Sequence, residues 1–246
     1  KYAINLSSDK NKVFKLSINN KVEKINKLIS NKEYLNAEQL IDKTVVFIKE
    51  KNIKEEYANI IRLYLVLTDA LIDNEMLDYA SRILKKLLSI DFNRFKTEVG
   101  AGYLKISKVY RKINDYPKTE QFLQEYFNVA QDKNIASENI VDIFISIADN
   151  YYNSKEYLYA EEYYTKCQMI GKDTSKHQLI MNKFQLLINY YVQKNNIDEA
   201  VRLLNKLIGY NFEYNREYVS EKYILMANNY YFKEKYQYEI SLKYKK

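Results

Sequence analysis

The side chains that most often carry chemistry are scarce in this chain of 246 residues, which has one His, one Cys, four Gly and no Trp. Cys167 falls beside Tyr164 on an apolar helical stripe, where a small buried side chain is the expected role. His177 has no Cys, Asp or Glu at the spacing that metal ligands require. The glycines lack the following Lys-Ser or Lys-Thr pair of a phosphate-binding loop. We therefore expect no catalytic residue, no metal and no cofactor, which argues against an enzyme.

An amphipathic stripe recurs along the chain. Its best example has offsets of 0, 3, 4 and 7 residues, as expected for one face of a helix, and consists of Phe144, Ile147, Ala148 and Tyr151. The same pattern begins at four further aromatic residues: Tyr64, Tyr103, Phe184 and Tyr223. Successive leading aromatic residues are separated by 39, 41, 40 and 39 residues. This regularity predicts helical repeats of about 40 residues.

A polar break and a second helix follow each stripe. Breaks are predicted at 154–157 and 233–236, among other places. A small residue that lets two antiparallel helices approach closely lies in the register of the second helix, at Ala37, Ala80, Thr119, Ala160 and Ala200. Gly171 and Gly209 follow predicted second helices, where a helix C-cap is expected. Each repeat is therefore predicted to be a helix, a short turn and a second helix, in an all-α fold.

This pattern resembles the tetratricopeptide repeat (TPR). An aromatic-x-x-Leu-Ala-x-x-Tyr first helix and an Ala-x-x-x-Tyr second helix are typical of that family, and residues 141–173 match best. The resemblance implies a right-handed superhelical solenoid of about six antiparallel helix pairs, spanning 1–246 as one TPR-like domain. Two features depart from the family: the period exceeds the usual 34 residues, and Lys21 and Lys24 replace the aromatic residue and the Leu of the first repeat. Because the chain starts at Lys1 and not at Met, we expect a fragment of a longer protein.

The first helices of TPR arrays line a concave groove that binds extended peptides or partner proteins, so the resemblance implies a ligand surface one step from the packing stripe. Asn suits this role because its amide can donate to a peptide C=O while it accepts from an N–H. Lys108, Arg111 and Lys112 are suited to hold a carboxylate. The alternative is that an Asn-rich chain places Asn on any exposed helix face. The candidate peptide-binding residues are Asp69, Lys108, Arg111, Asp149, Tyr152, Gln185, Asn189, Asn228 and Tyr231.

The net charge of +7 is spread along the chain. Binding of nucleic acid would require a concentrated basic patch, so we expect it only through a domain outside this chain. The longest apolar run, 63–72, is interrupted by Asp69 and is too short to span a membrane. With one Cys, the chain cannot form an internal disulfide. These observations favour a cytoplasmic protein without membrane contact.

Long, degenerate repeats of this kind are similar to those of bacterial peptide-sensing transcriptional regulators. The resemblance implies a protein- or peptide-binding module that acts in signalling and transcription regulation, as the sensor or scaffold of a bacterial cytoplasmic regulator. Two alternatives stay open: a structural adaptor that assembles complexes without a small ligand, and a basic helical repeat that binds nucleic acid. The oligomeric state is open as well, and a homo-oligomer is among the alternatives.

Overall fold

The computed structural model describes the backbone of residues 2–172 and 174–243, and the side chains of residues 13–53, 56–172, 174–210, 215–229 and 231. Every regular element of the described backbone is a helix, which confirms the predicted all-α fold. The helices are α1 (Tyr2–Ser30), α2 (Tyr34–Glu50), α3 (Lys54–Asp73), α4 (Leu77–Ile90), α5 (Phe92–Lys112), α6 (Tyr116–Val129), α7 (Lys133–Asn153), α8 (Tyr157–Gly171), α9 (His177–Gln193) and α10 (Ile197–Lys243).

The helices form two compact units, 1–133 and 134–246. In the first unit each helix packs on the next one along the chain, and α3 also contacts both α1 and α5. The helices α1, α3 and α5 therefore lie side by side and form a first-helix layer. The helices α2, α4 and α6 form a second-helix layer against it. This arrangement confirms the predicted succession of helix pairs within the unit.

The second unit repeats this arrangement, and its last helical segment doubles back on itself. Tyr223 Oη donates to Asn205 Oδ1 at 3.1 Å, although both residues belong to α10. In a straight helix 18 residues would span about 27 Å, so α10 must reverse between them. Its first arm (197–210) runs back along α9, as the stacking of Tyr210 on His177 shows. Its second arm (215–229) then runs alongside α9 in the opposite sense to the first.

The layers of the second unit follow from this reversal. Its first-helix layer consists of α7, α9 and the second arm of α10. Its second-helix layer consists of α8 and the first arm of α10. The second arm therefore corresponds to the first helix of the predicted sixth repeat.

The predicted turn at 233–236 is wrong, because the backbone of α10 stays helical to Lys243. The Lys and Glu residues of that segment are good helix formers.

The predicted packing stripes form the core. The leading aromatic residues Tyr64, Tyr103 and Phe184 are each 1% exposed. Fully buried small residues bring the second helices close to their partners, as predicted, at Ala37, Ala80, Thr119, Ala160 and Ala200. In a close-packed interior a larger side chain at these positions would force the helices apart.

The sixth stripe is predicted correctly only in part. Met226 is buried as predicted, but Tyr223 is 37% exposed and Ala227 is exposed, while Val219, outside the stripe, is buried. The face of the second arm of α10 that packs on its neighbours therefore differs from the face that the repeat pattern predicts. The last residue of the predicted stripe, Tyr230, lies outside the described side chains.

Residues in the left-handed region end six of the helices, and none of them is glycine. Their φ angles lie between 53° and 64°, at Lys32, Asn52, Glu75, Asn114, Lys155 and Asn195. The next amide donates to the carbonyl five residues earlier, as from Glu156 to Tyr151 at 2.9 Å, which is a Schellman motif. The prediction that Gly171 and Gly209 are C-caps is wrong, because Gly171 is the last residue of α8, Gly209 lies within α10, and neither has a positive φ. A Cβ on Gly171 would overlap Ile180, so this glycine permits close packing.

A buried carboxylate joins successive second helices of the first unit. Glu38 on α2 is 4% exposed and accepts hydrogen bonds from both terminal nitrogens of Arg82 on α4, at 2.9 and 2.7 Å. Lys86 and Tyr79 donate to the same carboxylate at 3.1 and 2.8 Å. Burial alone raises the pKa of this carboxyl, but the hydrogen bonds from Arg82, Tyr79 and Lys86 outweigh burial and bring the pKa down to about 2.

The second unit contains the same arrangement. Glu161 on α8 is 6% exposed and accepts from both terminal nitrogens of Arg202 at 2.7 and 2.5 Å, and from Lys206 at 2.6 Å. In both units the Glu directly follows the small residue of one second helix. The Arg and the Lys lie two and six positions after the small residue of the next second helix. The spacing of the Glu, the Arg and the Lys is visible in the sequence, but the repeat pattern alone did not predict that these residues form an ion-pair cluster.

We predict that Glu38 makes stability dependent on acidic pH. Its folded pKa of about 2 is lower than the ordinary value of 4.5, so its contribution is present above pH 4.5 and is lost as the pH falls towards 2. Glu38→Gln should lower the free energy of unfolding by about 1–3 kcal/mol at pH 7, and the difference from the unmodified chain should shrink at acidic pH. Urea unfolding at several pH values measures this. The exposed Glu50→Gln is the control, and an equal pH dependence of both variants would contradict the prediction.

Candidate functional site

All nine predicted ligand-contacting residues lie in the first-helix layers, but they divide between the two units. Asp69, Lys108 and Arg111 belong to α3 and α5 of the first unit. The other six belong to the second unit, on α7, α9 and the second arm of α10 or its continuation: Asp149, Tyr152, Gln185, Asn189, Asn228 and Tyr231. The two groups are therefore described as two surfaces, one on each unit.

Asp149 ties three helices of the second unit together. Its Oδ1 accepts from Tyr164 Oη on α8 at 2.5 Å, and Lys183 on α9 binds both carboxylate oxygens at 2.8 and 2.6 Å. Tyr164 is fully buried. Its burial and the bond to Asp149 both raise the pKa of the Tyr164 hydroxyl, which therefore stays a donor. The carboxylate of Asp149 is thus engaged within the fold and has less capacity for a ligand than the sequence suggests.

Gln185 and Asn189 connect α9 to the second arm of α10. Tyr218 Oη lies 3.1 Å from both the Gln185 carbonyl oxygen and Asn189 Oδ1. The side-chain amide of Gln185 donates to Asn215 Oδ1 at 3.4 Å. Asn189 is partly exposed, and its Nδ2 donates to no group among the described residues. One half of the Asn189 amide is therefore structural, while the other half can bind a ligand.

Three of the candidate residues, Asp69, Asp149 and Asn189, are here called the polar ladder. They link successive first helices within each unit. The first unit contributes an ion pair between Asp69 and Lys105, at 2.6 Å, in which both side chains are more than half exposed. The sequence analysis missed the partners Lys105, Lys183 and Tyr218. They follow their ladder residues by 36, 34 and 29 positions, fewer than the period of about 40. Because these offsets vary, the sequence offered no fixed register from which to find them.

Asn228 and Tyr231 lie apart from these links. The contact of Asn189 is with Tyr218, which precedes Asn228 by ten residues, or about 15 Å along a helix. Asn228 is exposed and makes no hydrogen bond to the described residues. Tyr231 is 65% exposed. The structure therefore leaves both side chains accessible, at a distance from Asn189 that a ligand could span only by running obliquely across the layer.

Tyr152 belongs to a cluster of tyrosines at the turn between α7 and α8. Its ring packs edge-to-face on Tyr157 with a centroid distance of 5.4 Å, and Tyr157 stacks on Tyr190 of α9 at 3.8 Å. All three rings are partly exposed. The cluster offers a rigid aromatic surface at one end of the first-helix layer, because each ring is held by its neighbour.

The surface of the first unit is basic. Lys108 and Lys112 are exposed along one side of α5 and make no ion pair or hydrogen bond with the described residues. Arg111 is partly exposed between them. Lys105, one turn earlier, is already paired with Asp69. The C-terminal half of α5 therefore carries two lysines whose charge is available to an anionic ligand.

Cys167 and His177, the two residue types that most often act as nucleophile or metal ligand, both make packing contacts. Cys167 is fully buried, donates weakly to the Val141 carbonyl at 3.8 Å, and has its pKa raised by burial. His177 stacks on Tyr210 with a centroid distance of 4.5 Å. Within the described side chains no three His, Cys, Asp or Glu residues come together as a metal site would require. Among the described helices, none has the length and apolar character needed to cross a membrane.

We predict that Asp149 contributes to stability far more than Asn228 does. Asp149→Ala leaves the buried Tyr164 hydroxyl without its acceptor and should lower the free energy of unfolding by about 2–3 kcal/mol. Asn228→Ala should change it by less than about 0.5 kcal/mol, as expected for an exposed site. Denaturant unfolding of both variants measures the difference. Equal stabilities would show that the Asp149 contacts do not tie the helices together.

Comparison with known proteins assigns no family to the chain. No protein-family model matches it, and no curated protein matches its sequence at a significant level. The resemblance to the tetratricopeptide repeat therefore stays a prediction from the repeat pattern of the sequence.

Proposed function

We propose that the chain is a protein- or peptide-binding module in which the first-helix layer of each unit, taken by itself, offers a surface for an extended segment of a partner, as the sensor or scaffold of a regulator. The observation that supports this best is the unused hydrogen-bonding capacity of the second unit. Asn189 Nδ2 and the amide of Asn228 have no partner among the described residues, and exposed tyrosines lie in the same layer. An Asn side-chain amide can donate one hydrogen bond and accept another from the backbone of a ligand, whatever the side chains of that ligand are.

The side chains of the ligand are selected by other groups. The tyrosine cluster around Tyr152 suits an apolar or aromatic side chain. On the first unit, Lys108 and Lys112 suit an acidic side chain or a terminal carboxylate. Binding to those lysines weakens as salt is added, because exposed charges are screened. Binding to the second unit depends less on salt, since its contacts are neutral hydrogen bonds and aromatic packing.

Native purification from the organism's own cells tests the proposal. The purified protein is denatured, and mass spectrometry identifies what it releases. A stoichiometric short peptide supports the sensor form of the proposal, while a larger protein held through an extended segment supports the scaffold form. Release of nucleic acid alone would contradict both.

We predict that Asn189→Ala and Asn228→Ala each weaken binding of the released ligand about 3- to 10-fold, since each removes about one net hydrogen bond. Isothermal titration calorimetry measures the affinity. Asn36→Ala is the matched control, because Asn36 is an exposed Asn in the second-helix layer. Unchanged affinity in both test variants, or an equal loss in the control, would rule out the proposed main-chain contacts.

A structural adaptor is the second candidate, and one observation favours it. The second-helix layers expose large apolar side chains: Leu35, Val46, Leu158 and Met169 are 58%, 54%, 71% and 78% exposed. An adaptor would use this layer, so its binding would be insensitive to substitutions at Asn189 and Asn228. The calorimetric comparison above therefore separates the two candidates.

A further inference from the structure

One side of α8 carries a stripe with exposed apolar ends, and its Lys166 is 30% exposed and lies over the Tyr163 ring at 4.4 Å. The stripe runs through Leu158, Glu162, Lys166 and Met169, whose spacings of four, four and three residues keep them on one face. Leu158 and Met169, at its two ends, are 71% and 78% exposed. They are 11 residues, or about 16 Å, apart along the helix. Between them, Glu162 Oε1 and Lys166 Nζ form an ion pair at 2.9 Å.

We propose that this stripe pairs with the same stripe of a second copy of the chain, antiparallel, in a twofold-symmetric dimer. Read in either direction, the stripe has an apolar residue, two charges of opposite sign and an apolar residue. When two copies run antiparallel, Leu158 of each copy lies level with Met169 of the other. Glu162 of each copy then lies about one residue, or about 1.5 Å, from the level of Lys166 of the other, within reach of an ion pair. Twofold symmetry produces each contact twice, which gives two apolar and two charged contacts.

The dimer retains the charge pairing that exists in one chain. The two pairs of Glu162 with Lys166, one within each copy, are exchanged for two pairs between the copies, so no charge is buried without a partner. The apolar ends lose contact with water, which provides the favourable free energy. The helix is also fixed to the first arm of α10, because Glu161, beside the stripe, is bound by Arg202 and Lys206. Its outer face is therefore presented in one orientation.

The equivalent helix of the first unit shows why a second copy is the occupant. Residues 32–38 and 155–161 share the pattern Lys-Glu-Tyr-Leu-x-Ala-Glu, so α2 corresponds to α8. In α2 the exposed apolar residues recur at Leu35 and Val46. Its intervening positions, however, hold Gln39 and Lys43, which include no acid. In a dimer through α2, Lys43 of each copy would meet no acidic residue of the stripe, so of these two stripes the one on α8 is complementary to itself.

Charge reversal tests the proposal with the full chain, by analytical ultracentrifugation. Glu162→Lys places Lys opposite Lys, and Lys166→Glu places Glu opposite Glu. Each substitution should raise the dimer dissociation constant about tenfold or more. An equimolar mixture of the two variants should form a heterodimer with the affinity of the unmodified chain, because every charged contact then joins opposite signs. The double variant Glu162→Lys/Lys166→Glu should dimerise for the same reason.

Matched variants on α2 serve as controls. Leu158→Ser should weaken the dimer, while Leu35→Ser and Lys43→Glu should leave it unchanged, and circular dichroism checks that each variant is folded. A monomer at concentrations up to about 0.1 mM would overturn the proposal. A dimer that tolerates both charge reversals would also overturn it. A dimer that is weakened by Lys43→Glu and Glu162→Lys but not by Lys166→Glu would overturn it too, since it would join α2 of one copy to α8 of another.

Discussion

The tie between Asp149, Tyr164 and Lys183 shows the constraint on which the rest of the structure depends. A single amphipathic helix pair cannot bury its apolar faces alone, so each pair must be fixed to the next. In the second unit one carboxylate does this for α7, α8 and α9 at once, with contacts between 2.5 and 2.8 Å. On the other layer the buried Glu161 joins α8 to the first arm of α10. Polar links on both layers therefore set how successive pairs meet.

This use of polar residues determines what the candidate site can do. A carboxylate that already binds a buried hydroxyl and an ammonium group has less capacity left for a ligand. Exposed groups such as Asn228 carry no such cost. The first-helix layer thus contains two kinds of polar residue, those engaged within the fold and those exposed to solvent. The structural kind fixes the spacing of the helices, and the accessible kind is available to a partner at that spacing.

The helices and their buried faces could be predicted from the sequence, because aromatic residues such as Tyr103 and Phe184 recur at a constant interval and must face the core. The turn residues with left-handed backbone conformation were harder to predict from the sequence, since Lys32 and Lys155 occupy positions where Gly is usual. The hydrogen-bonding partners of the polar ladder residues could not be predicted from the sequence. The axial offset between neighbouring helices depends on side-chain packing, so nothing in the spacing of Asp149 identified Lys183 as its partner. The reversal between Asn205 and Tyr223 agrees with the sequence, which predicted two helices in this part of the chain.

The central claim is that a partner lies along the first-helix layer of the second unit. Site-specific photo-crosslinking in cells tests it most directly, with the photoreactive side chain placed in separate variants at Asn228, at Tyr231 and at the exposed Glu50 of α2. The account predicts a crosslinked partner from positions 228 and 231 and none from position 50. Crosslinks that form only at position 50, or equally at all three positions, would contradict it.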